Sequence, residues 1–135
     1  MEEIVVRRFR PPLQPDQDME WFCRSLGLLG NRDKNKTGMK IFVMLVEASK
    51  ENRVVDADNI AKKVKITRTA VLHHVKAMES EGLVDRRNGD FGLRAHNFQS
   101  LVDEIEKDML RAFDSIREIA EDMDSRMNMP VRKKD

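Results

Sequence analysis

From Gly92 to Pro130 the chain contains neither glycine nor proline, and its apolar residues recur at alternating spacings of four and three: Phe98, Val102, Ile105, Met109, Ala112, Ile116, Ile119 and Met123. That alternation is the a/d seam of a heptad pattern and dictates one helix over residues 98–128, about 45 Å long at 1.5 Å per residue. Leu101, Phe113, Ala120 and Met127 widen the stripe, so one flank is expected on the body of the protein and the other on a partner. A helix of that length overhangs any domain that the rest of a 135-residue chain can build. Each large apolar side chain left in water forgoes about 1.5–3 kcal/mol. The seam therefore predicts a homodimer joined through Val102, Ile105, Met109, Ala112, Ile116, Ile119 and Met123, with Phe22 and Leu26 of an N-terminal helix adding to the interface.

Upstream, the pattern fits one small body. Residues 1–15 hold Ile4, Val5 and Val6, then Arg7, Arg8, Phe9, Arg10 and the Pro11–Pro12 pair, which forbids a helix. An extended basic arm is expected there, entering a minor groove, crossing a partner subunit or staying free. Residues 16–29 put Met19, Phe22, Cys23 and Leu26 on one helical face, and the polar GNRDKNKTG at 30–38 reads as a loop. Thr37 is a suitable N-cap for a second helix to about Lys50, burying Ile41, Phe42, Leu45 and Ala48. Val54–Val55 suits one short strand, and Asp56 caps a short third helix with Ile60, Ala61 and Val64 inward and Lys62 and Lys63 outward. After Lys65–Ile66, Thr67 caps a fourth helix at 67–81 whose Val71, Val75 and Met78 face inward, and Gly82 ends it as a left-handed C-cap. LVDRRNGDFGLRAH supplies two β-prone stretches joined by Asn88–Gly89, a hairpin turn. The chain thus divides into an arm at 1–15, a helix and loop at 16–37, a body at 38–97, the long helix at 98–128 and a frayed tail at 129–135.

Helix, short strand, short helix, tight turn, longer helix and hairpin is the order of a winged helix-turn-helix, mainly α with a small β-hairpin wing. Its fourth helix displays Arg68, Thr69, Leu72, His73 and Lys76 between the buried positions. A helix anchored by one stripe has its other face free to enter the major groove of duplex DNA, about 12 Å wide. Lys62 and Lys63, with Arg86, Arg87 and Arg94 on the wing at 83–96, are expected on the backbone or the minor groove. Charge distribution agrees: residues 31–97 carry 14 Lys and Arg against 9 Asp and Glu, and residues 98–135 carry 7 against 10. A basic body and an acidic tail suit a nucleic-acid-binding module with a separate assembly element. The same residues also admit a plainer reading, as a solvated helix face and as charged strand edges that prevent aggregation.

DADNIAKKVKITRTAVLHHVKAMESEGLVDRR resembles the winged-helix module of ArsR-like transcriptional regulators. The likeness is carried by Ile60–Ala61 in the support helix, by Val71 to Val75 with His74 in the recognition helix, and by Gly82–Leu83–Val84 at the exit into the wing. It covers residues 38–97, and MarR-like proteins share the same pattern. The resemblance implies a sequence-specific, homodimeric regulator of transcription that binds double-stranded DNA. Two features depart from it. The support helix, DNIAKKV, lacks the paired cysteines of metal-sensing members, and the last helix has no histidine, so no metal is expected. Leu72 stands where the family often has serine; it can touch a thymine methyl but cannot read a hydrogen-bond pattern.

Other classes are disfavoured. The single cysteine, Cys23, cannot form an internal disulfide and suits a reducing interior. Neither a signal peptide nor a membrane span is expected, which makes the cytoplasm the default location. His73 and His74 are adjacent, so on a helix they point about 100° apart and do not chelate one ion; His74 is expected to be partly buried. No spacing sets a nucleophile beside a base and no glycine-rich phosphate loop occurs, so neither an enzyme nor a bound cofactor is expected. The rival to a DNA regulator is a winged helix used as a protein–protein module of a transcription or remodelling assembly.

Overall fold

The computed structural model describes residues 15–27 and 36–131. The basic arm, most of the loop at 30–38 and the end of the tail lie outside the described residues. Within them the chain forms α1 (Pro15–Ser25), α2 (Thr37–Ser49), α3 (Ala57–Val64), α4 (Arg68–Ser80), β1 (Val84–Arg87), β2 (Asp90–Leu93) and α5 (Phe98–Arg126). This is a winged helix followed by one long helix.

Local chemistry sets most of the boundaries. The Asp56 carboxylate accepts the Asn59 amide at 2.7 Å and opens α3, and the Thr67 hydroxyl accepts the Ala70 amide at 3.0 Å and opens α4. Between them Lys65 takes the left-handed conformation, φ 63°, which closes α3 within one residue and keeps the turn tight. Gly82 does the same for α4 at φ 78°: its amide bonds to Glu79 O and that of Leu83 to Met78 O, both at 3.0 Å, the pairing of a Schellman motif. Asn88 and Gly89, at φ 55° and 88°, make the two-residue turn that sets Val84 opposite Leu93 and Arg87 opposite Asp90.

Besides α1, which takes in Pro15 and ends at Ser25 against an expected helix at 16–29, two boundaries differ from expectation. Thr37 is the first residue of α2 rather than its cap; Lys36 holds the cap position in the left-handed conformation, and its ammonium pairs with Glu20 of α1 at 3.0 Å. That contact spans 16 residues. The strand expected at Val54–Val55 shrinks to one bridge, in which Val55 and Phe91 exchange two hydrogen bonds of 2.8 Å. The left-handed Asn52 before it and the cap at Asp56 after it leave no room for more.

The core lies where α2, α3, α4 and the hairpin meet. Ile41, Phe42, Leu45, Ile60, Val71, Val75 and Leu83 have no exposed surface, and Cys23 of α1 and Leu101 of α5 join them from either side. Ala61 and Val64, expected inward, are half-buried at its margin. Around Phe98 an aromatic cluster ties α1, α2 and α5 together, with ring centroids 5.3 Å from Phe22 and 6.3 Å from Phe42.

Only the first part of α5 belongs to the body. Leu101 is buried, Ile105 and Met109 are half-buried, and every residue from Leu110 to Val131 is exposed. Residues 113–126 project as about 20 Å of helix, exposed throughout. Their apolar stripe is open to solvent: Phe113 is 51% exposed, Ile116 58%, Ile119 60% and Met123 45%. Phe22 and Leu26, expected at a dimer interface, are half-buried on the body, where Phe22 stacks on Phe42 at 6.3 Å.

Candidate nucleic-acid interface

One stripe of α4 is sealed in the core and the other is open. Val71, Val75 and Met78 are buried, whereas Arg68, Thr69, His73 and Lys76 are exposed. Leu72 lies between the two sets: it is half-buried and packs against the core while keeping part of its surface in solvent. His74 is half-buried and His73 exposed, their ring centroids 6.0 Å apart. Among the described residues no cluster of three or more His, Cys, Asp or Glu side chains is arranged to hold a metal ion.

Lys62 and Lys63 are exposed on the last turn of α3, and Lys65 is exposed in the turn that joins α3 to α4. Lys62 and Lys63 line a hollow with Glu47 and Arg53 of the α2 side and Asp90 of the wing, whereas Lys76 is exposed on α4 itself. Compact, strongly hydrated ammonium charges suit the phosphates of a nucleic-acid backbone.

The arginines behave differently, because each one has a partner. Arg68 opens α4 and its guanidinium donates to the Asp58 carboxylate at 2.9 Å, across the turn from α3. Arg86 donates to Glu79 at 2.9 Å and lies over the Phe91 ring, 5.0 Å from its centroid. Arg87 donates to the Leu93 carbonyl at 3.2 Å, which braces the hairpin across its own turn. Sequence reasoning identified these arginines but missed Asp58 and Glu79. The only available hint was that each carboxylate lies within ten residues of its arginine.

Arg94 stands apart from this rim. Its side chain is 20% exposed and donates to both oxygens of Asp108 on α5, at 2.5 and 3.1 Å, and to the Gly82 carbonyl at 3.2 Å. Glu104 lies 3.7 Å away, and Arg111 makes a second ion pair with Asp108. The hydrogen bond from Arg94 holds the Asp108 carboxyl below its usual range, and the same bond raises the Arg94 guanidinium above its own. Its charge is neutralised inside the junction of wing, recognition helix and long helix.

The fold and the open face of α4 define a winged helix-turn-helix. A profile of winged helix-turn-helix DNA-binding domains matches residues 52–85, from the turn before α3 to the start of the wing. That match does not distinguish an ArsR-like from a MarR-like subfamily. No curated protein and no solved structure matches the chain significantly. Among the described residues no helix is long and apolar enough to cross a membrane.

Proposed function

We propose that the protein is a sequence-specific transcriptional regulator that binds double-stranded DNA as a homodimer and catalyses no reaction. The observation that carries this reading is the two-sided character of α4, with Val71 and Val75 wholly buried on one side and Arg68, Thr69, His73 and Lys76 open on the other. This is the geometry in which a recognition helix enters a major groove while Lys62, Lys63 and the wing arginines Arg86 and Arg87 meet phosphates. Dimerisation is supported by the open stripe on α5. Near its origin, Leu26, Ile105, Met109 and Ala112 line a shallow groove of about 290 Å³ that continues the seam onto the body. A two-fold dimer would present two copies of α4 to half-sites about 34 Å apart.

Selection of bound fragments from random duplexes, followed by a salt titration on the selected site, tests the reading. A palindromic motif is expected. If Lys62, Lys63, Lys76, Arg86 and Arg87 each neutralise one phosphate in both protomers, about ten contacts give a log–log slope near −9. A slope near zero and no enriched motif would refute it, and would leave the winged helix as a protein-docking module.

A further inference from the structure

Arg94 is placed where three elements converge, and its side chain hydrogen-bonds to the end of one and to the face of another. It follows β2 directly, and its own amide extends the ladder to Leu83 O at 3.0 Å. Its guanidinium reaches the end of the recognition helix through the Gly82 carbonyl and reaches α5 through Asp108. Glycine is favoured here by its backbone, and a side chain would also crowd the ends of the clamp. Gly82 has φ 78°, and a Cβ there would lie 2.9 Å from Arg94 Nη1 and 3.1 Å from Asp108 Oδ2. The helix terminus is thus shaped to let the clamp close.

Asp108 also marks the end of the body's hold on α5. Leu101 and Ile105 pack below it, Met109 follows half-buried, and beyond that the helix is exposed on all sides. The clamp is therefore the last polar hold on the helix before it projects. We propose that Arg94 is a positioning residue: it locks the angle at which α5 leaves the winged helix, and through that angle fixes the half-site spacing that the dimer accepts. The inference rests on the proposed function, since spacing has meaning only for a dimer on two half-sites.

The lever arm sets the scale. From Asp108 to Arg126 the helix runs about 27 Å, so a tilt of about 10° at the clamp moves its far end by about 5 Å. One base-pair step is about 3.4 Å along the axis and about 35° around it, so accepting an altered spacing requires a joint that yields in both tilt and twist. A held angle rejects a site lengthened or shortened by one base pair, and a loosened angle tolerates it. Packing at Phe98, Leu101 and Ile105 fixes the base of the helix, three to ten residues before the clamp. A bidentate arginine–carboxylate pair is directional, and it is the part of the joint that sets orientation.

The test uses the full chain and Arg94→Met, which keeps an unbranched apolar stem and removes the guanidinium, alongside Asp108→Asn. The probes are the selected palindrome, the same duplex with one base pair inserted or removed between half-sites, and a single half-site. Wild type is expected to disfavour the altered spacings by at least about tenfold, and both variants by less than about threefold, with half-site affinity changed by less than about twofold. A dimeric variant that keeps wild-type spacing discrimination would overturn the inference alone. Wild-type protein that binds no duplex, or that sediments as a monomer, would overturn the proposed function and the inference with it. A second measurement needs neither DNA nor dimer: spin labels at Asn88→Cys on the wing and Glu121→Cys on α5, in labelled protein diluted with unlabelled. The distance distribution should be narrow while Arg94 is present and broader by several ångströms once Arg94→Met is added; equal widths would refute the clamp.

Discussion

Ile116→Asp is the sharpest test of assembly, because the structure lets its cost be worked out. Ile116 lies in the projecting part of α5 and is 58% exposed in the isolated chain. Full burial of an isoleucine is worth about 1.5–3 kcal/mol, so covering the exposed remainder contributes about 1–2 kcal/mol per copy and about 2–4 kcal/mol per two-fold dimer. Aspartate removes that gain and adds the cost of drawing two carboxylates toward an apolar seam, at least a further 1–2 kcal/mol by a conservative reckoning. A loss near 4 kcal/mol weakens the dimer about a thousandfold, enough to convert a submicromolar dimer into a monomer at micromolar concentration. Ile116 lies outside the core of the described residues, so the variant should keep the circular dichroism and melting behaviour of a folded winged helix. Leu101→Asp is the matched contrast: that side chain is wholly buried in the core, and the same chemical change there should unfold the domain. Sedimentation velocity decides the matter. Dimerisation through α5 is refuted if Ile116→Asp still sediments as a dimer, or if the wild type is a monomer at micromolar concentration, and the expectation of a palindromic operator fails with it.

Other outcomes follow from individual contacts. Asp58→Asn releases Arg68 from its carboxylate, so affinity for random duplex should rise at low salt and the log–log slope steepen by about 2 for one added phosphate contact per protomer; an unchanged slope would mean that Arg68 reaches no phosphate. Arg68→Ala should weaken the selected site more than random DNA by about 1–3 kcal/mol if it reads a guanine, and equal losses on both would demote it to a backbone contact. Burial pushes the Cys23 thiol up to about 12, so at pH 8 it should react with a disulfide reagent roughly a thousandfold more slowly than the unfolded chain; comparable rates would contradict its burial. Since the folded value is raised, the stability it confers is complete below the unfolded value of about 8.5 and is lost as pH climbs toward about 12, a decline that Cys23→Ala should flatten.

How much of this was legible in the sequence depended on how far apart the interacting residues are. Asp56 and Thr67 each bond an amide three residues on, and Gly82 closes its motif within a few residues, so these boundaries could be read from short windows. The buried stripe of α4 was equally plain, because helical period alone generates it. Lys36 rather than Thr37 holds the cap position of α2, and its ion-pair partner lies 16 residues away, which no local pattern encodes. Leu72 follows Val71 directly, so period places it off the stripe; only the surrounding packing makes it half-buried. Arg94 is the fullest case: on sequence it was one more basic residue of the wing, and its partner lies 14 residues later on a different element.

That distance dependence also separates the roles of the basic residues. Counting charges treats Lys62, Lys63, Lys76, Arg68, Arg86 and Arg94 as equivalent, but none of the three lysines makes an ion pair with a described residue, and each of the three arginines makes one. Unpaired ammonium groups on long stems attract phosphate from any direction and lose that attraction as salt rises, so they supply affinity without reading sequence. A guanidinium already held by a carboxylate has less freedom left to lose and presents its remaining donors at a set angle. If α4 faces DNA as proposed, Asp58 weakens the field there and in return orients Arg68, which favours discrimination over raw attraction. On this reading the near-neutral whole chain, with a formal net charge of +1, is no argument against DNA binding. Under the proposed function, carboxylates set among the basic residues would limit non-specific binding and leave the open face of α4 to choose the site.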